Sequence, residues 1–171
     1  MDAATLRSLQ APLKQKYRDN PESARIVARA EVVLDPSQIA ARLSGGAPRS
    51  AGLHQAAGGT GADACSADML LEALAACAGV TLVAVATSMG CPLTGGRVVA
   101  EGVWDARGTL GVDKTAQVGI QDIKIAFELE GDLDEPTRQR LIQLTERYCV
   151  ILATLRNPPE VSVAISGSAP T

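Results

Sequence analysis

The sequence predicts an α+β fold in which an antiparallel sheet covers a long buried helix, and three observations carry that reading. Residues Met69 to Ala86 are apolar almost all round, as the central helix of a core would be. Ile123, Ile125, Phe127 and Leu129 alternate with Lys124, Ala126, Glu128 and Glu130, the two-residue period of a strand with one buried and one wet face. After Asp134, the residues Leu141, Leu144, Tyr148 and Leu152 recur at helical spacing and form the inner stripe of a second helix.

The remaining elements follow in chain order. Leu6, Leu9, Leu13 and Tyr17 suggest a short amphipathic helix, weakened by Pro12 and docked on the outside, so residues 1–23 read as a helical extension and residues 24–171 as the main domain. Ala24 to Leu34 is rich in β-branched residues and predicts a strand, with Ile39 to Leu43 returning antiparallel after the Asp35-Pro36-Ser37 turn. Ser44 to Ala64 is glycine-rich and without period, which reads as a long loop. Ser66 is the expected N-cap of the central helix, Asp68 complements its dipole, and Gly90 followed by Cys91 and Pro92 stops it after about 35 Å. Arg97 to Trp104 alternates weakly as a strand. Asp134 is the expected cap of the second helix, with Pro136 tolerated in its first turn, and Asn157-Pro158-Pro159 ends it. Val161, Val163 and Ile165 then suggest a last strand.

Composition excludes several classes of function. A net charge of −3 with dispersed Lys and Arg gives no footprint for nucleic acid, and 2% aromatic content leaves no platform for stacking bases. The apolar run is long enough for a bilayer, but Glu72 interrupts it, Ala and Gly dominate it, and no Lys or Arg flanks it; a soluble core helix is the expected reading. Four cysteines and no charged-then-apolar leader between Met1 and Asn20 point to reduced thiols in a cytoplasmic setting. Gly58 to Gly61 lacks the Lys-Ser/Thr ending of a phosphate loop. One histidine and no cysteine pair at ligand spacing leave no zinc site. The acidic residues from Glu128 to Glu135 read as a solvated edge.

Cysteine carries the chemistry that is left. Cys77 and Cys149 each lie within an apolar, helix-like segment, 72 positions apart, so they meet only if the fold joins two distant helices. Ala75, Ala76, Ala78 and Gly79 would let other groups approach the Cys77 sulfur closely. Cys65 and Cys91, at helix boundaries without charged partners, read as structural. Glu72 is a carboxylate in an apolar helix: it either pairs with Arg25, Arg29, Arg49 or Arg147, or occupies one exposed strip. It stands about 140° round the helix from Cys77 and cannot sit directly beside that sulfur. His54 lies in the glycine-rich loop, where a single histidine is usually incidental.

The run from Ser66 to Leu82 around Cys77, the segment Glu146-Arg147-Tyr148-Cys149 and the ending from Leu155 to Val163 together resemble the OsmC/Ohr family, the osmotically inducible and organic hydroperoxide resistance proteins. The resemblance covers roughly residues 24 to 166. It implies an OsmC-like fold built as an intertwined homodimer, with Cys77 as the peroxidatic thiol and Cys149 as the resolving thiol; Glu72, read from the residues alone, is a candidate substitute for the family's glutamate. No bound cofactor is implied; an external thiol or a lipoyl-type dithiol would restore the pair, and organic hydroperoxides would be the substrates. A non-enzymatic dimer of the same fold, binding an apolar ligand or partner, is the alternative. Three positions depart from the family pattern: Ala67 stands where the hydroperoxide branch has a glutamate ten residues before the first cysteine, the turn from Leu34 to Gln38 holds no arginine, and Val150 replaces the proline after the second cysteine.

Overall fold

A computed structural model describes residues 3–36, 40–43 and 51–164. Four strands form one antiparallel sheet in the order β2-β1-β5-β6, with β1 at Arg25–Asp35, β2 at Ala40–Leu43, β5 at Leu93–Asp105 and β6 at Gln121–Gly131. The expected hairpin is present, with Val32 opposite Leu43 and Asp35 opposite Ala40. Ser37, Ile39 and the loop from Ser44 to Ser50 lie outside the described residues. Within the rest of that loop, Ala51–Gly52 (β3) and Ala64–Cys65 (β4) form a two-residue parallel bridge, a correction to the structureless loop expected from its glycines.

The central helix α2 spans Ser66–Met89, 24 residues. Leu71, Leu74, Ala75, Ala78, Leu82 and Val83 are fully buried, and the helix packs on β1 and β5 with one side and on α4 (Glu135–Tyr148) and α5 (Val150–Arg156) with another. It is long and apolar enough to cross a membrane, but eight of its residues form the core beneath the sheet. Its end was legible: Gly90 adopts the left-handed φ of 65° and donates to the carbonyls of Ala86 and Thr87, a geometry that costs glycine nothing. Its start differs by one residue. Cys65 occupies the cap position and Ser66 is already helical, so no side chain caps the helix.

β6 behaves as its alternation predicts, with inward residues half-buried and outward ones exposed, because it is a sheet edge that α2 only partly covers. β5 runs longer than its weak alternation suggested. Val98 and Ala100 face the core while Val99 is also buried, so burial on both faces blurs the period. Asp134 caps α4 as expected, its side chain accepting from the Thr137 N–H at 3.0 Å. The first helix, α1 (Ala3–Asp19), continues through Pro12, and it is more than an outer layer: Tyr17 enters the core and its hydroxyl donates to the Ala56 carbonyl at 2.8 Å, while Gln10 donates to the Ala57 carbonyl at 3.0 Å. A short helix α3, Ala106–Thr109, follows β5, with Asp105 as its cap.

Two expectations fail at the far end. Tyr148, placed by its spacing in the inner stripe of α4, is 56% exposed, because the chain leaves helical geometry at the next residue. Val161 and Val163 form no strand and are 83% and 91% exposed; Ile165 lies outside the described residues. Alternation alone does not make a strand: the segment must also pair with a neighbour, and Val161 and Val163 pair with no described strand although β6 ends the sheet.

Candidate active site

The fold brings Cys77 and Cys149 together. Cys77 sits in the middle of α2, half-buried, inside a collar of Ala75, Ala78 and Gly79 that lets α4 and α5 approach closely. Cys149 is not partway along one helix, as its surroundings suggested. It is the joint between α4 and α5, with φ −70° and ψ 109°. The hydrogen bonding nevertheless runs through: the Cys149 N–H donates to Thr145 and the Ala153 N–H donates to Cys149, both at 2.9 Å. The Thr145 hydroxyl bonds the Leu141 carbonyl one turn earlier at 2.8 Å, a back-bond that bends helices.

The two sulfurs are free thiols, near enough for Cys77 to act on the ionisation of Cys149. Cys149 is fully buried, and burial pushes its thiol above the ordinary value. The adjacent Cys77 pushes it the same way, against the backbone N–H groups of Leu152 and Ile151. An enclosed, protonated thiol thus lies near a more accessible one. That arrangement suits a pair in which one sulfur meets a reagent and the other follows.

Glu72 is half-buried on α2, where its charge acts on Asp68 one turn earlier. Of the arginines considered for it, Arg25 lies 3.7 Å from Asp122 and Arg147 stacks over the Tyr148 ring at 5.5 Å. The side chains of Arg29 and Arg49 fall outside the described residues. Ala67, in the first turn of α2, lies roughly 15 Å along the helix from Cys77, so a side chain there belongs to a different part of the molecule from the sulfur.

His54 has more to do than its position in a loop implied. Its Nδ1 accepts from the Ala56 N–H at 2.9 Å, and its ring meets Trp104 edge-on at 5.1 Å between centroids. Asp68 lies close by: burial raises its carboxyl above the usual range, the His54 charge lowers it and Glu72 raises it. Cys65 lines the same region, whereas Cys91 packs against the core, half-buried. This neighbourhood was not legible beforehand, since Trp104 is 50 positions away from His54; the only signal was a single tryptophan at the end of a strand.

The family model for OsmC-like protein matches residues 59–164, well over half the chain. The fold is also similar to the crystal structure of an OsmC-like hydroperoxide resistance protein from Jannaschia sp. CCS1, with a TM-score of 0.61 and 14% identity over 84% of this chain and 95% of that one. No curated protein matches the sequence. With both cysteine-bearing segments inside the matched region, the chain belongs to the OsmC-like protein family.

Proposed function

We propose that this protein is a thiol-dependent peroxidase that reduces organic hydroperoxides through Cys77 and Cys149. One observation carries the reading: two cysteines 72 positions apart are brought near enough for one to act on the ionisation of the other, both as free thiols. Cys77, the more accessible, is the nucleophile. Its thiolate attacks a peroxide oxygen, the O–O bond breaks, and the alcohol leaves with a proton while the sulfur becomes a sulfenic acid. The Cys149 sulfur then attacks the sulfenic sulfur, an S–S bond forms and water departs. An external thiol or lipoyl-type dithiol reduces the disulfide, so no bound cofactor is needed. Glu72 acts as a positioning residue, since its place on α2 keeps it from touching the sulfur directly. The Ala- and Leu-rich surroundings favour an organic peroxide, and the Jannaschia protein's name points to the same substrate class.

The working form is an intertwined homodimer in the cytoplasm. Leu70, Val80 and Met89 of α2, with Tyr148 and Val150 beside Cys149, are large apolar side chains between 39% and 68% exposed, and a second copy would cover them. Consumption of cumene hydroperoxide with a dithiol tests the chemistry. Cys77→Ser should abolish it, and Cys149→Ser should leave a sulfenic acid on Cys77 that dimedone traps. Equal rates for wild type and Cys77→Ser would overturn the proposal.

A non-enzymatic dimer that binds an apolar ligand or partner in the same cleft is the second reading. It is favoured by Ala67, which stands where the hydroperoxide branch has its glutamate, and by the turn from Leu34 to Gln38, which holds no arginine. Thiols that stay free after mild peroxide treatment, measured by mass spectrometry, would select it over the enzyme.

A further inference from the structure

Ten positions separate Glu146, in the last turn of α4, from Arg156, the last residue of α5, yet the Arg156 guanidinium donates to the Glu146 carboxylate at 3.0 Å. Along one continuous helix the two residues would stand about 15 Å apart on the axis and about 80° apart round it, at the limit of what their side chains span. The contact therefore belongs to the bend. Cys149, between them, has a ψ of 109° where a helix keeps about −42°, and that angle sets the course of α5. Arg147, next to Glu146, stacks over the Tyr148 ring at 5.5 Å, and Arg156 supplies the cation instead.

Seven residues are too few for a helix to persist by its own ladder, so the direction of α5 rests on its contacts. Leu152 is buried, and Ile151 and Leu155 pack half-buried against the core, which anchors the middle of the helix on α2. The ion pair ties its far end back to α4. Arg156 and Glu146 are 54% and 39% exposed, so the pair acts by a modest factor and within reach of screening by salt.

On the reading of Cys149 as the thiol that follows Cys77, we propose that Glu146 and Arg156 are positioning residues for that second step. Their ion pair opposes straightening at Cys149 and so keeps this thiol beside Cys77.

Oxidised glutathione separates the second step from the peroxide chemistry. Cys77 attacks it, forming a mixed disulfide and releasing one glutathione thiolate; Cys149 then attacks the Cys77 sulfur, forming the Cys77–Cys149 bond and releasing the second. Peptide mapping of the full-length protein, acid-quenched at intervals, gives the rate of each step. Glu146→Gln and Arg156→Gln should each slow the second step about three- to fivefold, near the ceiling for an exposed pair, and leave the first unchanged. The double variant Glu146→Arg with Arg156→Glu should restore the wild-type rate. Salt at about 1 M should slow the wild type to the rate of the single variants and leave those variants unmoved. An unchanged second step in either single variant, no recovery in the double variant, equal salt effects throughout, or a wild type that forms no Cys77–Cys149 bond overturns the proposal. Slowing of this step in a protein that forms the bond with oxidised glutathione but not with hydroperoxide would support the role of the pair and refute the peroxidase reading.

Discussion

Oxidation should make this protein markedly more stable. If Cys77 and Cys149 join, the bond closes a loop spanning 72 positions in the unfolded chain, which removes about 15 cal/mol/K of entropy in the chain-entropy model, or about 4 kcal/mol at 25 °C. For 171 residues that corresponds to a rise in Tm of roughly 10 °C. Because the thiols already lie near each other, little of this should be returned as strain. The same free energy lowers the reduction potential of the pair by roughly 90 mV relative to an unconstrained dithiol. The assay is thermal unfolding of reduced protein and of protein treated with one equivalent of hydroperoxide, at one protein concentration because self-association would shift Tm. Peptide mapping identifies the bond, and Cys77→Ser should show no shift. A mapped Cys77–Cys149 bond with an unchanged or lower Tm would refute the reasoning, since the link would then form only by distorting the fold.

Three further outcomes concern the scaffold. Leu74→Ala, at a fully buried core site on α2, should cost about 2–5 kcal/mol in urea unfolding. Tyr17→Phe removes the bond to the Ala56 carbonyl and should cost about 1 kcal/mol, read in the same experiment. Hydrogen bonds from Arg107 hold the Asp105 carboxyl below its ordinary range, so the stability this gives is complete above the unfolded pKa of about 3.9 and is lost as pH falls through the lower folded value. Asp105→Asn should therefore lower stability at neutral pH and flatten the acid limb of a stability profile; an acid limb of unchanged slope would count against it.

What the sequence revealed and concealed divides along physical lines. Gly90, the Asp134 cap and the alternation of β6 were legible because each is a local rule, fulfilled within a few residues. The joint at Cys149 was not, since the apolar spacing continues through it and the family's usual proline is Val150 here; the break survives on ψ alone while its hydrogen bonds persist. Ser66 read as a cap from its residue type, yet the pairing of Cys65 with Gly52 fixes where the helix begins, and that contact is tertiary. Val161 and Val163 carried a strand's period but pair with no described strand. For the candidate site, the two cysteines could be chosen from their surroundings, but their meeting depends on how α4 and α5 pack against α2. The partner of Glu72 could not be read either, because a lone carboxylate matches any nearby arginine equally well.

The joint at Cys149 also has a mechanical side. Two free thiols stand well beyond the ~2.05 Å of a covalent S–S link, so something must travel if the bond closes. α2 is clamped between the sheet and the paired helices and has nowhere to go. Cys149, by contrast, is the knee of a limb whose last segment is the seven residues of α5. A small swing at its ψ carries the sulfur toward Cys77 and sweeps Val150 and the exposed tail beyond Arg156 across the surface. If the pair cycles as proposed, its redox state would change the posture of the segment after Arg156, where another molecule could read it.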